Sequence, residues 1–458
     1  MTKLFSTLLL LVSFASFSQD ITGQWVGGID IQGNKLNLIF NIEKSGESYT
    51  ATMDSPEQNV QGIPINTVSF QKRNVKMTIE VAGIEYNGTL NAFNEIIGTF
   101  SQSGATFPLN LSRKKKKPQE PTEFNYYVEN VTFQNKKDNI TLGGTLTLPS
   151  KEGKFPVVVL ISGSGAQNRD SELLGHKPFL LIADYLTKKG IGVLRFDDRG
   201  VGESGGDRNS STIKDFATDV SAAVEYLKTR KETNLKKIGL IGHSEGGVIA
   251  PMVAAGTKDI SYIVLLAGTG IPGDELLMQQ TYLIGKASGM SEEELKQAAD
   301  ENTKVYSIIK TENNPDIVKQ KLTAIVQESF DKLPADQKPS QEEINSVISQ
   351  QVGMATSPWF HHFITYDPAL ILKDVKCPVL VLNGEKDVQV PSKANTLAIK
   401  NALEKGGNKK VTVVEFPNMN HLFQECTTCT IDEYEKIEQT FSPIALKQIS
   451  DWIAIQVK

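Results

Sequence analysis

The sequence predicts two parts of different fold class: a small antiparallel all-β domain, then an α/β domain on a mostly parallel, doubly wound sheet. Three observations carry this reading. Short runs such as Leu36-Asn37-Leu38-Ile39-Phe40 and Val75-Lys76-Met77-Thr78-Ile79 interleave apolar and polar side chains in residues 19–112, as half-buried antiparallel strands do. From Asn125 onward apolar, β-branched runs alternate instead with stretches of helical spacing, the pattern of strands buried on both faces of a parallel sheet. Between the two lies Arg113-Lys114-Lys115-Lys116-Lys117-Pro118-Gln119-Glu120-Pro121, a charge run with two prolines. Such a run reads as a solvated linker, assigned to residues 113–124.

In the first domain, Gly, Asn and Ser separate the runs, as in Gln32-Gly33-Asn34 and Tyr86-Asn87-Gly88. A small barrel or a curled sheet fits, and nothing in it carries evident chemistry. The second domain, residues 125–458, opens on a hairpin-like β region at Asn139 to Leu148, which contains Gly143-Gly144. Strands are expected at Val157 to Ile161, Gly192 to Phe196, Ile238 to Ile241, Tyr262 to Leu266, Val379 to Leu382 and Val411 to Phe416. Phe216, Val220, Ala223, Val224 and Leu227 recur at helical spacing behind a capping box of Thr212 and Asp215. Ser291-Glu292-Glu293-Glu294, Asp316-Ile317 and Ser340-Gln341-Glu342-Glu343 read as helix starts with acidic first turns. They place a helical insertion at about residues 271–366, before the next strand, where it would roof the strand ends and act as a cap.

Residues 1–18 read as an export signal: Lys3, an apolar run from Leu4 to Phe14, and small Ser16 and Ser18 before a cut ahead of Gln19. The run is too short to span a bilayer. A soluble periplasmic or secreted protein is expected, without stable membrane insertion. A formal net charge of -5 with no basic face argues against nucleic acid as a partner. The oligomeric state is not legible. Of the three cysteines, Cys377 precedes a strand as a core residue, and Cys426-Thr427-Thr428-Cys429 reads as a local disulfide staple or two free thiols.

Ile238-Gly239-Leu240-Ile241 runs into Gly242-His243-Ser244-Glu245-Gly246 and then into a helix-like run from Val248. A serine hydroxyl is a useful nucleophile only when it stands clear of the backbone within reach of a base. A sharp strand-to-helix turn achieves that, at the cost of crowding that demands glycine on either side. With these residues the chain resembles the α/β-hydrolase superfamily over about residues 125–458. Within it the chain resembles exported bacterial carboxylesterases with a helical cap and an N-terminal β-domain. The resemblance implies a nucleophile–acid–histidine order. Ser244 is the nucleophile. Asp387 follows the strand Val379 to Leu382, with Glu385 the rival acid, and His421 follows the strand Val411 to Phe416. His243 is expected to turn its ring away from the catalytic face.

The oxyanion donors implied are the backbone N–H groups of Glu245 and of Ser164 in Ser162-Gly163-Ser164-Gly165, with Gly163 the alternative. Arg169, in Asn168-Arg169-Asp170, is either structural or a contact for an anionic part of the substrate, and the structural role is favoured. Phe196-Asp197-Asp198-Arg199-Gly200-Val201-Gly202-Glu203-Ser204 reads as a charge-pinned turn near the site. Trp359 and His362, where the chain returns from the cap, are core residues or pocket walls. Together with Gly163 and Arg169 they make up the candidate substrate pocket. The expected function is hydrolysis of small-molecule carboxylic esters, of short to medium acyl chain, through an acyl-enzyme on Ser244, with no cofactor or metal required. An exported peptidase or aminopeptidase, or a thioesterase, would use the same apparatus. A binding protein on a degenerate hydrolase fold is the remaining alternative.

Overall fold

The computed structural model describes residues 21–31, 34–46, 48–58, 60–91, 95–113, 118–334 and 338–458. The expected signal segment and residues 114–117 of the expected linker lie outside the described residues. Two compact units are present, one within Ala15–Lys117 and one within Pro118–Lys458.

The first unit is an antiparallel sheet of ten strands: β1 (Gly23–Ile31), β2 (Asn34–Ser45), β3 (Ser48–Ser55), β4 (Val60–Pro64), β5 (Thr67–Gln71), β6 (Asn74–Ile79), β7 (Ile84–Leu90), β8 (Glu95–Gln102), β9 (Ala105–Pro108) and β10 (Leu111–Arg113). Pairing runs β4-β3-β2-β1-β10-β8-β7-β6-β5, with β9 on β8. β4 and β5 end that path, so the sheet is a half-barrel. Alternate side chains converge on one core that includes Trp25, Phe40, Met77, Tyr86 and Phe100. Its two buried polar tips are satisfied locally. Trp25 Nε1–H donates to the Ile21 carbonyl at 2.8 Å, and the Tyr86 hydroxyl lies 3.2 Å from the carbonyls of Ile96 and Leu109.

The second unit holds eight strands: β11 (Tyr127–Asn135), β12 (Ile140–Leu148), β13 (Phe155–Ile161), β14 (Gly192–Phe196), β15 (Thr233–His243), β16 (Ile260–Leu266), β17 (Val379–Gly384) and β18 (Val411–Phe416). Their order is β11-β12-β14-β13-β15-β16-β17-β18, antiparallel at β11, β12 and β14 and parallel from β14 onward. The opening hairpin turns at residues 136–139, and Gly143 and Gly144 lie inside β12. The reason is close approach: a Cβ on Gly143 would stand 2.5 Å from Cβ of Glu203.

Helices α1 (Pro178–Lys188), α2 (Ile213–Thr229) and α3 (Gly246–Gly256) join β13 through β16 in turn. The insertion before β17 contains α4 (Gly273–Ala287), α5 (Glu292–Thr311), α6 (Pro315–Asp331), α7 (Gln341–Ala355), α8 (Pro358–Thr365) and α9 (Ala369–Leu372). Capping boxes at Thr212/Asp215, Ser291/Glu294 and Ser340/Glu343 start α2, α5 and α7. α10 (Ser392–Lys405) and α11 (Pro443–Gln456) complete the unit. Because strand side chains alternate, Val157, Val159 and Ile161 of β13 join a core with α2, α3 and the inserted helices. Val158 and Leu160 join the opposite core, with α1 and α11. Both faces are covered, which is why these strands are apolar throughout.

The turn after β14 is pinned by charge. Buried Arg199 donates through Nε to Asp219 Oδ2 and through Nη2 to Asp138 Oδ2, each at 2.7 Å, and through Nη1 to Ser211 Oγ at 3.2 Å. Arg199→Met should cost about 3–5 kcal/mol, because it leaves the Asp219 carboxylate buried without its cation. Chemical denaturation of this unit, compared with wild type, measures it.

Candidate active site

The site is assembled by strand register at the carboxyl ends of the sheet. β13 and β15 are neighbours with Ile161 opposite Gly242, so residues 162–164 leave the sheet beside 243–245. This is also where the strand order reverses, the usual ligand position in such sheets. β17 and β18 are neighbours with Gly384 opposite Phe416, so the loops that follow them bring Asp387 and His421 together.

At the end of β15 the backbone of Ser244 is forced to φ +53°, the left-handed region that side chains disfavour. It is held there because Ser244 N–H donates to the Leu266 carbonyl at 2.9 Å and Gly247 N–H returns to the Ser244 carbonyl at 2.9 Å. The turn tolerates no side chain two residues to either side of Ser244. A Cβ on Gly242 would stand 2.0 Å from the Gly246 carbonyl oxygen, and one on Gly246 would stand 2.2 Å from the Ile161 carbonyl oxygen. Ser244 is thereby partly exposed at the start of α3.

His421 Nδ1 lies 2.8 Å from Asp387 Oδ2, with both side chains buried. The other oxygen of Asp387 accepts from the N–H groups of Gln389 and Val390 at 2.8 Å each, so the carboxylate is locked in place. Glu385, the rival acid, accepts from the Asn418 N–H at 3.3 Å on the exposed turn and has no contact with His421 among the described residues. His243 does not turn away, as the sequence reading had it. Its Nε2 lies 3.0 Å from the His421 carbonyl, and the two rings are 4.8 Å apart. Burial, then the neighbouring His421, push the His243 pKa down to about 3. Its neutral ring therefore ties the histidine loop to the nucleophile turn. Only the folded chain reveals that contact, since no local pattern joins positions so far apart. The histidine loop is further closed by a Cys426–Cys429 disulfide. Cys377 is a free, partly buried thiol.

A cleft opens at Ser244, lined by Ser164, Glu245, Thr269, Leu276, Leu277, Gln280, Trp359, Phe363, Gln389 and Val390. α4 and α8 supply its apolar wall. Ser164 and Glu245 border it, and their peptide N–H groups donate to no protein acceptor among the described residues. Gly163 lines a second cavity behind this one. Arg169 and His362 do not line the cleft. Arg169 pairs with Asp197 at 2.6 Å and Glu203 at 2.5 Å and donates to the Gly144 carbonyl at 3.0 Å. It is structural because its donors are already used. His362 stacks on Tyr366 with ring centroids 5.3 Å apart.

Two buried carboxyl groups face one cation behind the site. Arg208 lies 3.0 Å from Asp198 and 3.9 Å from Glu245. Burial pushes the Asp198 pKa to about 6 despite Arg208 and the Ser162 hydroxyl. Burial likewise pushes Glu245 to about 7, against the opposing pull of Arg208 and of Trp359 Nε1–H, which donates to Glu245 Oε1 at 2.8 Å.

The chain is similar to several known hydrolases. Residues 177–326 match the family model described as "Serine aminopeptidase, S33", and residues 313–427 match "BAAT / Acyl-CoA thioester hydrolase C terminal". The chain is 29% identical over 300 residues to esterase EstD of Thermotoga maritima, a match that takes in 65% of this chain and 61% of that one. Among solved structures, a Pyrococcus furiosus esterase superposes with TM-score 0.44 at 16% identity, covering 75% of this chain and 97% of its own. Est1E of Butyrivibrio proteoclasticus, with ferulic acid bound, gives 0.42 at 18%, covering 71% and 99%. These similarities, and the strand order of the second unit, are those of an α/β-hydrolase fold.

The Glu245 pKa predicts a pH-dependent stability. Between about pH 4.5 and about 7 the folded chain keeps a proton that the unfolded chain has released, so this group's contribution falls as pH rises through that window. Glu245→Gln should therefore gain on wild type on going from about pH 5 to about pH 8, by up to about 3 kcal/mol. The difference in Tm between the two proteins at each pH measures it; an equal difference at both would refute it.

Proposed function

We propose that the chain is a serine hydrolase that cleaves small-molecule carboxylic esters through an acyl-enzyme on Ser244. The observation that carries this reading is the 2.8 Å pairing of His421 Nδ1 with a fully hydrogen-bonded Asp387, with the His421 carbonyl bonded to His243, the neighbour of a serine held at φ +53°. His421 takes the Ser244 proton as the hydroxyl attacks the ester carbonyl. Asp387 keeps the imidazole oriented and supports the positive charge it gains. The N–H groups of Glu245 and Ser164 receive the oxyanion, aided by the N-terminal end of α3. His421 then protonates the departing alcohol and activates the water that releases the acid.

The lining of the cleft favours esters over peptides with a free amino end. Leu276, Leu277, Trp359, Phe363 and Val390 are apolar, and Thr269, Gln280 and Gln389 are uncharged. The one carboxyl in the lining, Glu245, is buried, bonded to Trp359 and holds its proton up to about pH 7. No free carboxylate lines the cleft, among the described residues, to receive a substrate ammonium group. The acyl group admitted is accordingly neutral and apolar, of short to medium length.

p-Nitrophenyl esters of increasing chain length, run beside aminoacyl-p-nitroanilides and an acyl thioester, test the reading. Ester turnover should dominate, with kcat/KM passing through a maximum at short to medium chains. Preference for the anilides would favour the peptidase, and preference for the thioester the thioesterase. Ser244→Ala should lower kcat by about 10⁶-fold. Asp387→Asn should lower it about 10⁴-fold, since it presents the wrong tautomer of the histidine. An Asp387→Asn variant with wild-type kcat would assign the acid elsewhere.

A further inference from the structure

Trp359 belongs to the inserted helix α8, yet its indole N–H bonds the side chain of the residue that follows the nucleophile. The polar contacts continue inward. Glu245 Oε2 is buried without a hydrogen bond among the described residues, and its nearest cation is Arg208 Nη2 at 3.9 Å. Arg208 lies over the Phe216 ring, 4.4 Å from its centroid, and donates to Asp198 Oδ2 at 3.0 Å. Asp198 in turn accepts from the Ser162 hydroxyl at 2.5 Å and from the Gln167 N–H at 3.1 Å. Ser162 and Gln167 bracket Ser164. One chain of contacts therefore joins the inserted helix to the two backbone segments that carry the proposed oxyanion donors, Glu245 and Ser164.

The outer end of this chain is also a wall of the cleft. Trp359 stacks on Phe363, with ring centroids 5.5 Å apart and planes 16° apart, and both rings line the space beside Ser244. An acyl group that fills the cleft presses on the same indole that holds Glu245.

We propose that Trp359, the Glu245 carboxyl and Arg208 are positioning residues that couple the seating of the cap helix on the acyl group to the placement of the two oxyanion donors. The coupling rests on the hydrolase reading above. It lets binding of the acyl chain, remote from the ester carbonyl, act on the chemical step rather than on affinity alone. A displacement of about 1 Å in such donors lowers rate by about 10²-fold, so a fault in the chain shows in kcat. Arg208 is the diagnostic member, because it does not line the cleft at Ser244 but the second cavity, with Gly163.

The experiment is steady-state kinetics on p-nitrophenyl butyrate with the full chain as wild type, Trp359→Phe, Arg208→Met and the double variant, each checked for folding by circular dichroism. Each single variant should lose about 10–100-fold in kcat with KM within about threefold of wild type. The double variant should be no slower than the slower single, since both break one chain. A rise in KM with kcat unchanged, or losses that multiply in the double variant, would overturn the coupling. If Trp359→Phe does not fold, Arg208→Met decides by the same split of kcat against KM. A wild type that turns over no ester would overturn the ester reading itself, and the coupling argued from it.

Discussion

The crowding at the end of β15 is the constraint on which the rest of the second unit depends. A chain that must leave a buried parallel strand, reverse through one left-handed residue and enter a helix leaves room for hydrogen only on either side. Gly242 and Gly246 sit against backbone carbonyl oxygens where a methyl group would overlap them. Three elements meet there. Ser244 N–H is tied to the end of β16, Gly246 lies against the end of β13, and His243 reaches the carbonyl of His421 beyond β18. The turn thus fixes one exposed hydroxyl and also registers the loops that surround it. The strained φ of Ser244 persists because these contacts over-determine it.

Much of the fold was legible because it is written locally. Strand runs, capping boxes and the insertion between β16 and β17 each need only a window of neighbouring residues. Asp387 and His421 could be named as partners because the resemblance to α/β-hydrolases implies an acid and a histidine after successive late strands; that those strands are neighbours appears only in the structure. Features that depend on distant chain segments were not legible. The bond from Trp359 to Glu245, the support His243 gives the His421 loop and the pairing of Arg169 with Asp197 and Glu203 join residues with no shared pattern. Gly143-Gly144 looked like a turn signal, yet those glycines serve a close approach inside β12.

Electrostatics divides the site in two. On the His421 side, Asp387 is satisfied at both oxygens, which suits a group that must hold one charge in one orientation. On the Glu245 side, two buried carboxyl groups compete for Arg208, and burial holds both above the usual carboxylate range. A neutral Glu245 suits its place beside the α3 N-terminus. An ionised carboxyl there would oppose the negative charge that develops on a substrate oxygen. In the half-barrel unit the buried tips of Trp25 and Tyr86 are satisfied within their own core.

The central claim is that Ser244 is an activated nucleophile, and a fluorophosphonate probe tests it most directly. Incubated with the full chain at neutral pH, the probe should add one mass, mapped by peptide mass spectrometry to the segment that carries Ser244 and absent after Ser244→Ala. A folded chain that stays unlabelled, or one labelled on a different residue, would contradict the account.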